Sequence, residues 1–133
     1  MRQTQFRQVV ILSAELSSLT AQENSIRTSN LEECLKDLSI TNNKGQGVYR
    51  GSSEDCFVCL PKDLTEYYTL KQLALRSFGQ ECILVQGTNG ESSLVYNDDT
   101  IEQIGKLRKT TKIKAMKENS YTILNNNYYT VSA

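Results

Sequence analysis

A chain of 133 residues, 38% hydrophobic and 23% charged, fits one globular domain that buries a core without metals or disulfides. Fifteen basic and fifteen acidic residues cancel, so no global field recruits nucleic acid or an anionic membrane. The absence of histidine removes the commonest general base, metal ligand and pH switch.

The zero total hides an asymmetry. Residues 1–100 hold nine Lys and Arg against thirteen Asp and Glu, a net of −4. Residues 101–133 hold six against two, a net of +4. The N-terminal apolar run, Val9 to Leu12, is too short for a secretory or membrane-spanning segment. A cytoplasmic protein is expected, with host cytoplasm as the setting if a phage encodes it, and its four cysteines are expected to be free thiols.

In chain order, Val9–Leu12 reads as a central strand apolar on both faces, extending from about Phe6 to Ala14. Thr20 and Glu23 have capping-box spacing and open a helix. Residues 41–47, TNNKGQG, read as a loop. Two extended pieces follow within 48–60, joined by a bulge or turn at SSED. Pro61 stops the strand, and Asp63 caps a helix reaching Phe78, with Gly79 as its C′ residue. ECILVQ and SSLVY flank an Asn-Gly turn. A helical turn is expected near Asp99, then an edge strand at KTTKIKAM and a hairpin around Asn125–Asn127. The expectation is an α+β domain over 1–133: a mixed β-sheet with two main helices packed on one face. Its order is β-α-β-α-β-β, and residues 101–133 form a C-terminal β extension or an arm that packs on another subunit.

Candidate chemistry is sparse. Cys56 and Cys59 form C-x-x-C, but in a strand they point to opposite faces, and no histidine or second pair completes a zinc set. Buried structural cysteines are the preferred reading. No G-x-S-x-G, S-x-x-K or phosphate loop occurs. No catalytic set, metal or cofactor is expected. Lys112 and Lys114 are phosphate-contact candidates, weighed against a solubilising edge strand.

The first helix carries an anomaly. At 100° per residue, Asn24 and Arg27 fall within about 40° of Leu31, on the stripe shared with Leu35 and Leu38. Either Arg27 pairs structurally with Glu15 or Glu54, or Glu15, Glu23, Asn24, Arg27 and Glu54 line a ligand-binding cleft where strand ends meet the helix start. Ile26 faces outward, as do Tyr68 and Leu75 on the second helix. Together they are a candidate interface for a homo-oligomer or partner.

Several motifs carry a resemblance: E-N-x-x-R at Glu23–Arg27, G-x-Y-x-G at Gly47–Gly51, E-x-x-F at Glu54–Phe57 and F-G-Q at Phe78–Gln80. Over residues 9–96 this pattern resembles a family of small bacterial and phage proteins whose domain is of unknown function. The resemblance implies a phage or mobile-element accessory protein. The primary expectation is a non-catalytic protein that binds and neutralises a host factor as an anti-defence inhibitor, gripping a host protein or sequestering a small anionic ligand such as a nucleotide. No membrane partner is expected, and a nucleic acid is disfavoured. The alternative is a small enzyme acting on a nucleotide or phosphate ester through Glu15, Glu23, Glu54 and Arg27.

Overall fold

A computed structural model describes residues 8–49, 52–87, 89–118 and 120–132. The strands are β1 Val9–Leu12, β2 Thr41–Tyr49, β3 Ser52–Leu60, β4 Cys82–Gln86, β5 Glu91–Tyr96, β6 Ile101–Thr110, β7 Ser120–Leu124 and β8 Asn127–Ser132. The helices are α1 Ala21–Asp37, α2 Leu64–Gln72, which continues as a π-helical segment Leu73–Ser77, and α3 Lys112–Lys117. The strands close into a barrel in the order β1-β3-β2-β7-β8-β6-β5-β4, and every pairing is antiparallel.

This corrects the expectation of an α+β mixed sheet. Each helix carries the chain to a strand two places away, and the strand between them runs the other way. Thus β1-α1-β2 straddles β3, β3-α2-β4 straddles β1, and β6-α3-β7 straddles β8. Split crossovers of this kind join strands of the same direction without creating a parallel pair. Within 101–132 the described residues supply β6, α3, β7 and β8. β7 pairs with β2 and β6 with β8, which closes the cylinder.

An eight-stranded barrel has no room for helices inside, so α1 and α2 pack outside. Their core unites Leu31 and Leu35 of α1 with Leu70, Ala74, Leu75 and Phe78 after β3. Alternate strand residues Val10, Leu12, Phe57, Cys59, Ile83, Val85 and Val95 meet them. The opposite set, including Ile11, Leu84 and Leu94, faces the barrel interior.

Local chemistry explains the elements. Thr20 and Glu23 form the full capping box of α1, and the Asp63 side chain accepts from the Glu66 N–H at the start of α2. Leu38 is exposed rather than buried. The chain turns at Ser39 (φ 57°), and Ile40, whose N–H bonds the Leu35 carbonyl, takes the core position. TNNKGQG is strand β2, not a loop. Gly45 is needed there, because a Cβ would lie 2.7 Å from the Ile123 carbonyl oxygen across the β2–β7 seam. SSED belongs to β3, and residues 101–110 form β6 rather than a helical turn. The C-terminal hairpin turns at Asn125 and Asn126, both with positive φ, as a two-residue loop requires.

Candidate functional site

Antiparallel alternation brings one end of every strand to the same side of the barrel: β1, β2, β5 and β8 end there, and β3, β4, β6 and β7 begin. The rim collects Glu15, Glu54, Asp55, Glu81 and Glu102, with Lys44 3.8 Å from Asp55 as a counter-charge, so carboxylates outnumber cations there. The turn from β5 to β6 adds a depression of about 490 Å³ lined by Tyr96, Asn97, Asp98, Thr100 and Glu102.

The centre of the rim is a hydrogen-bonded clamp. Ser13 Oγ donates to the Asp55 carbonyl at 2.9 Å and accepts from the Glu15 N–H at 3.1 Å. Glu15 Oε2 accepts the Asp55 N–H at 2.5 Å, and Gln80 Nε2 donates to the Glu15 carbonyl at 2.9 Å. The segment after β1 therefore fixes the start of β3. Glu54 shares the inner face of β3 with Cys56 and Val58, opposite the helix-packed Phe57 and Cys59.

Electrostatics single out Glu54. Solvent reaches it, yet partial desolvation, and then the neighbouring Glu15 carboxylate, push its carboxyl above the ordinary range, while a Ser13 hydrogen bond opposes the shift. Burial, reinforced by Glu54, Asp55 and Glu15, pushes the Cys56 thiol up to about 12. Cys82 is raised by burial and by Glu81, Glu102 and Glu54. These shifts converge on one cluster of negative charge at the edge of low-dielectric surroundings. Cys56 and Cys59 are buried and, like Cys34 and Cys82, free thiols. Among the described residues, no group of three or more His, Cys, Asp or Glu has metal-site geometry.

Of the expected cleft residues, Glu15 and Glu54 come together, and the others serve structure. Glu23 Oε1 accepts from the Thr20 N–H and hydroxyl. Asn24 is buried and bonds both the N–H and the carbonyl of Leu16. Arg27 Nε donates to the Ala14 carbonyl at 2.7 Å, its Nη2 donates to the Phe78 carbonyl, and the guanidinium lies 5.5 Å from the Phe78 ring centroid. The polar residues on the apolar stripe thus satisfy backbone groups where β1 and the π-helical segment end. Among the described residues Arg27 does so without an ion pair to Glu15 or Glu54, one of the two arrangements expected for it.

Lys112 and Lys114 lie on α3, not on an edge strand. The Thr111 hydroxyl caps that helix by accepting from the Lys114 N–H. They sit beyond the far end of β6, away from the acidic rim. The expected apolar patch loses Leu75, which is 4% exposed, while Ile26 and Tyr68 remain exposed. A π-helical turn holds more residues than an α-turn, so Leu75 rotates into the core beside Ala74. Sequence reasoning missed Ser13, Gln80 and Glu102 as rim residues. Gln80 did stand in the F-G-Q motif, and Ser13 directly follows the first apolar run.

The family described as the S-Adenosylmethionine lyase family has a model that matches residues 10–132, and the chain belongs to that family. No curated protein matches the chain significantly. Membership overturns the expectation of a non-catalytic anti-defence inhibitor, because the family is named for an enzyme acting on a nucleotide-derived substrate. The alternative, a small enzyme of nucleotide chemistry, fits better. No helix among the described residues is long and apolar enough to cross a membrane.

Proposed function

We propose that the protein cleaves S-adenosylmethionine at a carbon–sulfur bond of its sulfonium, and that the acidic rim around Glu54 and Glu15 receives the substrate's cationic part. The family match over residues 10–132 is the observation that carries this reading. The rim's charge supports it, because the substrate presents a sulfonium and an α-ammonium group that complement clustered carboxylates.

The chemistry suits a chain without histidine. In a lyase reaction no water is consumed. The substrate's own ionised carboxylate attacks its Cγ, forming a C–O bond as the Cγ–S bond breaks. The bonding pair goes to sulfur, which leaves as a neutral thioether, methylthioadenosine, while the remainder closes to homoserine lactone. No proton transfer is required in that step. The protein's tasks are to fold the substrate into in-line geometry and to exclude water from a reaction that annihilates opposite charges. Glu54 orients the cationic end, and the Ser13–Glu15–Gln80 clamp fixes the backbone of the adjoining Asp55. Four free thiols suit a reducing, cytoplasmic setting.

Incubation with S-adenosylmethionine, followed by chromatography and mass spectrometry, tests the proposal. Methylthioadenosine together with homoserine lactone is the expected result. Vinylglycine in place of the lactone would show base-promoted elimination and replace this mechanism. No release of thioether would overturn the function.

A further inference from the structure

A second depression lies on the barrel wall, beginning one residue beyond the rim's Glu102. A groove of about 350 Å³ runs across the β5–β6 ladder, lined by Glu91, Ser92, Gln103, Gly105, Lys106 and Arg108. Its lining carries two cations, one amide and one carboxylate. Among the described residues, neither Lys106 nor Arg108 forms an ion pair. Glu91 is the cross-strand neighbour of Lys106, which leaves Arg108 as the unmatched charge.

A β-bulge builds this arrangement. Ser93 pairs with Gln103, but Ser92 pairs with Gly105, so Ile104 is the additional residue, and Gly105 adopts φ 111°. Before the bulge, Ile101 and Gln103 share the outer face with the core residue Val95. With uninterrupted alternation, residues 106 and 108 would turn inward. The extra residue reverses the alternation and sets Lys106 and Arg108 on the same outer face as Gln103 and Glu91. Bulges commonly re-aim side chains in this way beside functional sites. Here the effect is to line one groove with basic and amide donors, while Leu107 takes the inner face.

We infer that this groove binds a small oxyanion, a phosphate or a carboxylate, with Arg108 and Lys106 as its charged donors and Gln103 supplying an amide N–H. The site is independent of the proposed cleavage reaction. Lys106 and Glu102 pair with Glu91 and Leu94, three residues apart on β5, so the bulged strand carries Lys106 about 10 Å from the rim's Glu102 at about 3.3 Å per residue. Guanidinium and ammonium donors favour an oxyanion over a cation, and Glu91 limits the site to a ligand of low charge.

The full chain is titrated with inorganic phosphate and, separately, with acetate, by calorimetry and by amide chemical shifts. Saturable binding of at least one is expected, with shifts centred on residues 91–92 and 103–108. Arg108→Gln and Lys106→Gln should each weaken binding about tenfold, and Glu91→Gln should tighten it. Phosphate binding assigns a phosphate-bearing ligand, and acetate binding alone assigns a carboxylate. The inference is overturned by no saturable binding of either anion up to about 20 mM. It is equally overturned by shifts centred on the rim, or by binding indifferent to both basic substitutions.

Discussion

The two charged regions of the barrel differ in how firmly their side chains are held. At the acidic rim the polar groups are tied to backbone: Ser13 and Glu15 to Asp55, Gln80 to Glu15, Asn24 to Leu16, and Arg27 to Ala14 and Phe78. On the basic side, among the described residues, Lys106, Arg108, Lys112 and Lys114 form no ion pair. A braced backbone, with Glu15 bonded into it, suits a site that must hold a substrate in one geometry. Basic side chains with open bonding capacity suit a surface that receives a ligand or only keeps the chain soluble. Charge separation along the sequence thus becomes a division between a braced end and an unbraced wall.

The sharpest attack on this comparison is Glu54→Gln. It should reduce thioether release from S-adenosylmethionine about 100-fold, measured by chromatography. The same substitution should raise the thermal midpoint at neutral pH. The Glu54 carboxyl is raised in the folded state, so the folded chain holds its proton more tightly than the unfolded chain. Ionised Glu54 therefore opposes folding above its folded pKa, and that cost vanishes as pH falls through it. The stabilisation by Glu54→Gln should shrink over the same interval, and a constant gain at every pH would refute the assignment.

Next in size, Arg27→Met removes two charge-assisted hydrogen bonds and the stacking on Phe78. It should cost about 3 kcal/mol in denaturant unfolding. A loss below about 0.5 kcal/mol would mean that the rim is not braced through Arg27. Ser92→Ala should act in the opposite direction. The Ser92 hydroxyl is buried with no hydrogen-bond partner among the described residues, so its removal should stabilise the chain by about 1 kcal/mol. Last, the double substitution Lys112→Gln and Lys114→Gln should change stability by less than about 0.5 kcal/mol and leave cleavage intact, as expected of exposed lysines without fixed partners.

Local signals in the sequence survived into the structure. The capping residues Thr20 and Asp63, the apolar run of β1 and the two later hairpins were legible because each depends on neighbours a few residues away. Closure of the barrel was not, because β2–β7 and β6–β8 are pairings of distant, mostly polar segments. Gly45 and Gly47 made β2 look like a loop, and the reason for Gly45 lies in a strand almost eighty residues later. The position of Leu75 depended on a π-helical turn that an even 100° wheel cannot represent. For the site, Glu15 and Glu54 were recognisable as carboxylates flanking strands. Their separation from Asn24 and Arg27 was not, because those two bond backbone carbonyls and amides, which sequence patterns do not display.

The seam at Gly45 has a consequence for how the chain behaves among its own copies. A single absent methyl group lets β2 approach β7 closely enough to complete the ring. A larger residue there would hold the two strands apart and leave two long edges with unpaired N–H and carbonyl groups. Such edges recruit strands from other molecules. Gly45 therefore guards solubility as well as shape: it is the point at which a self-contained cylinder would otherwise become an open, strand-exchanging sheet.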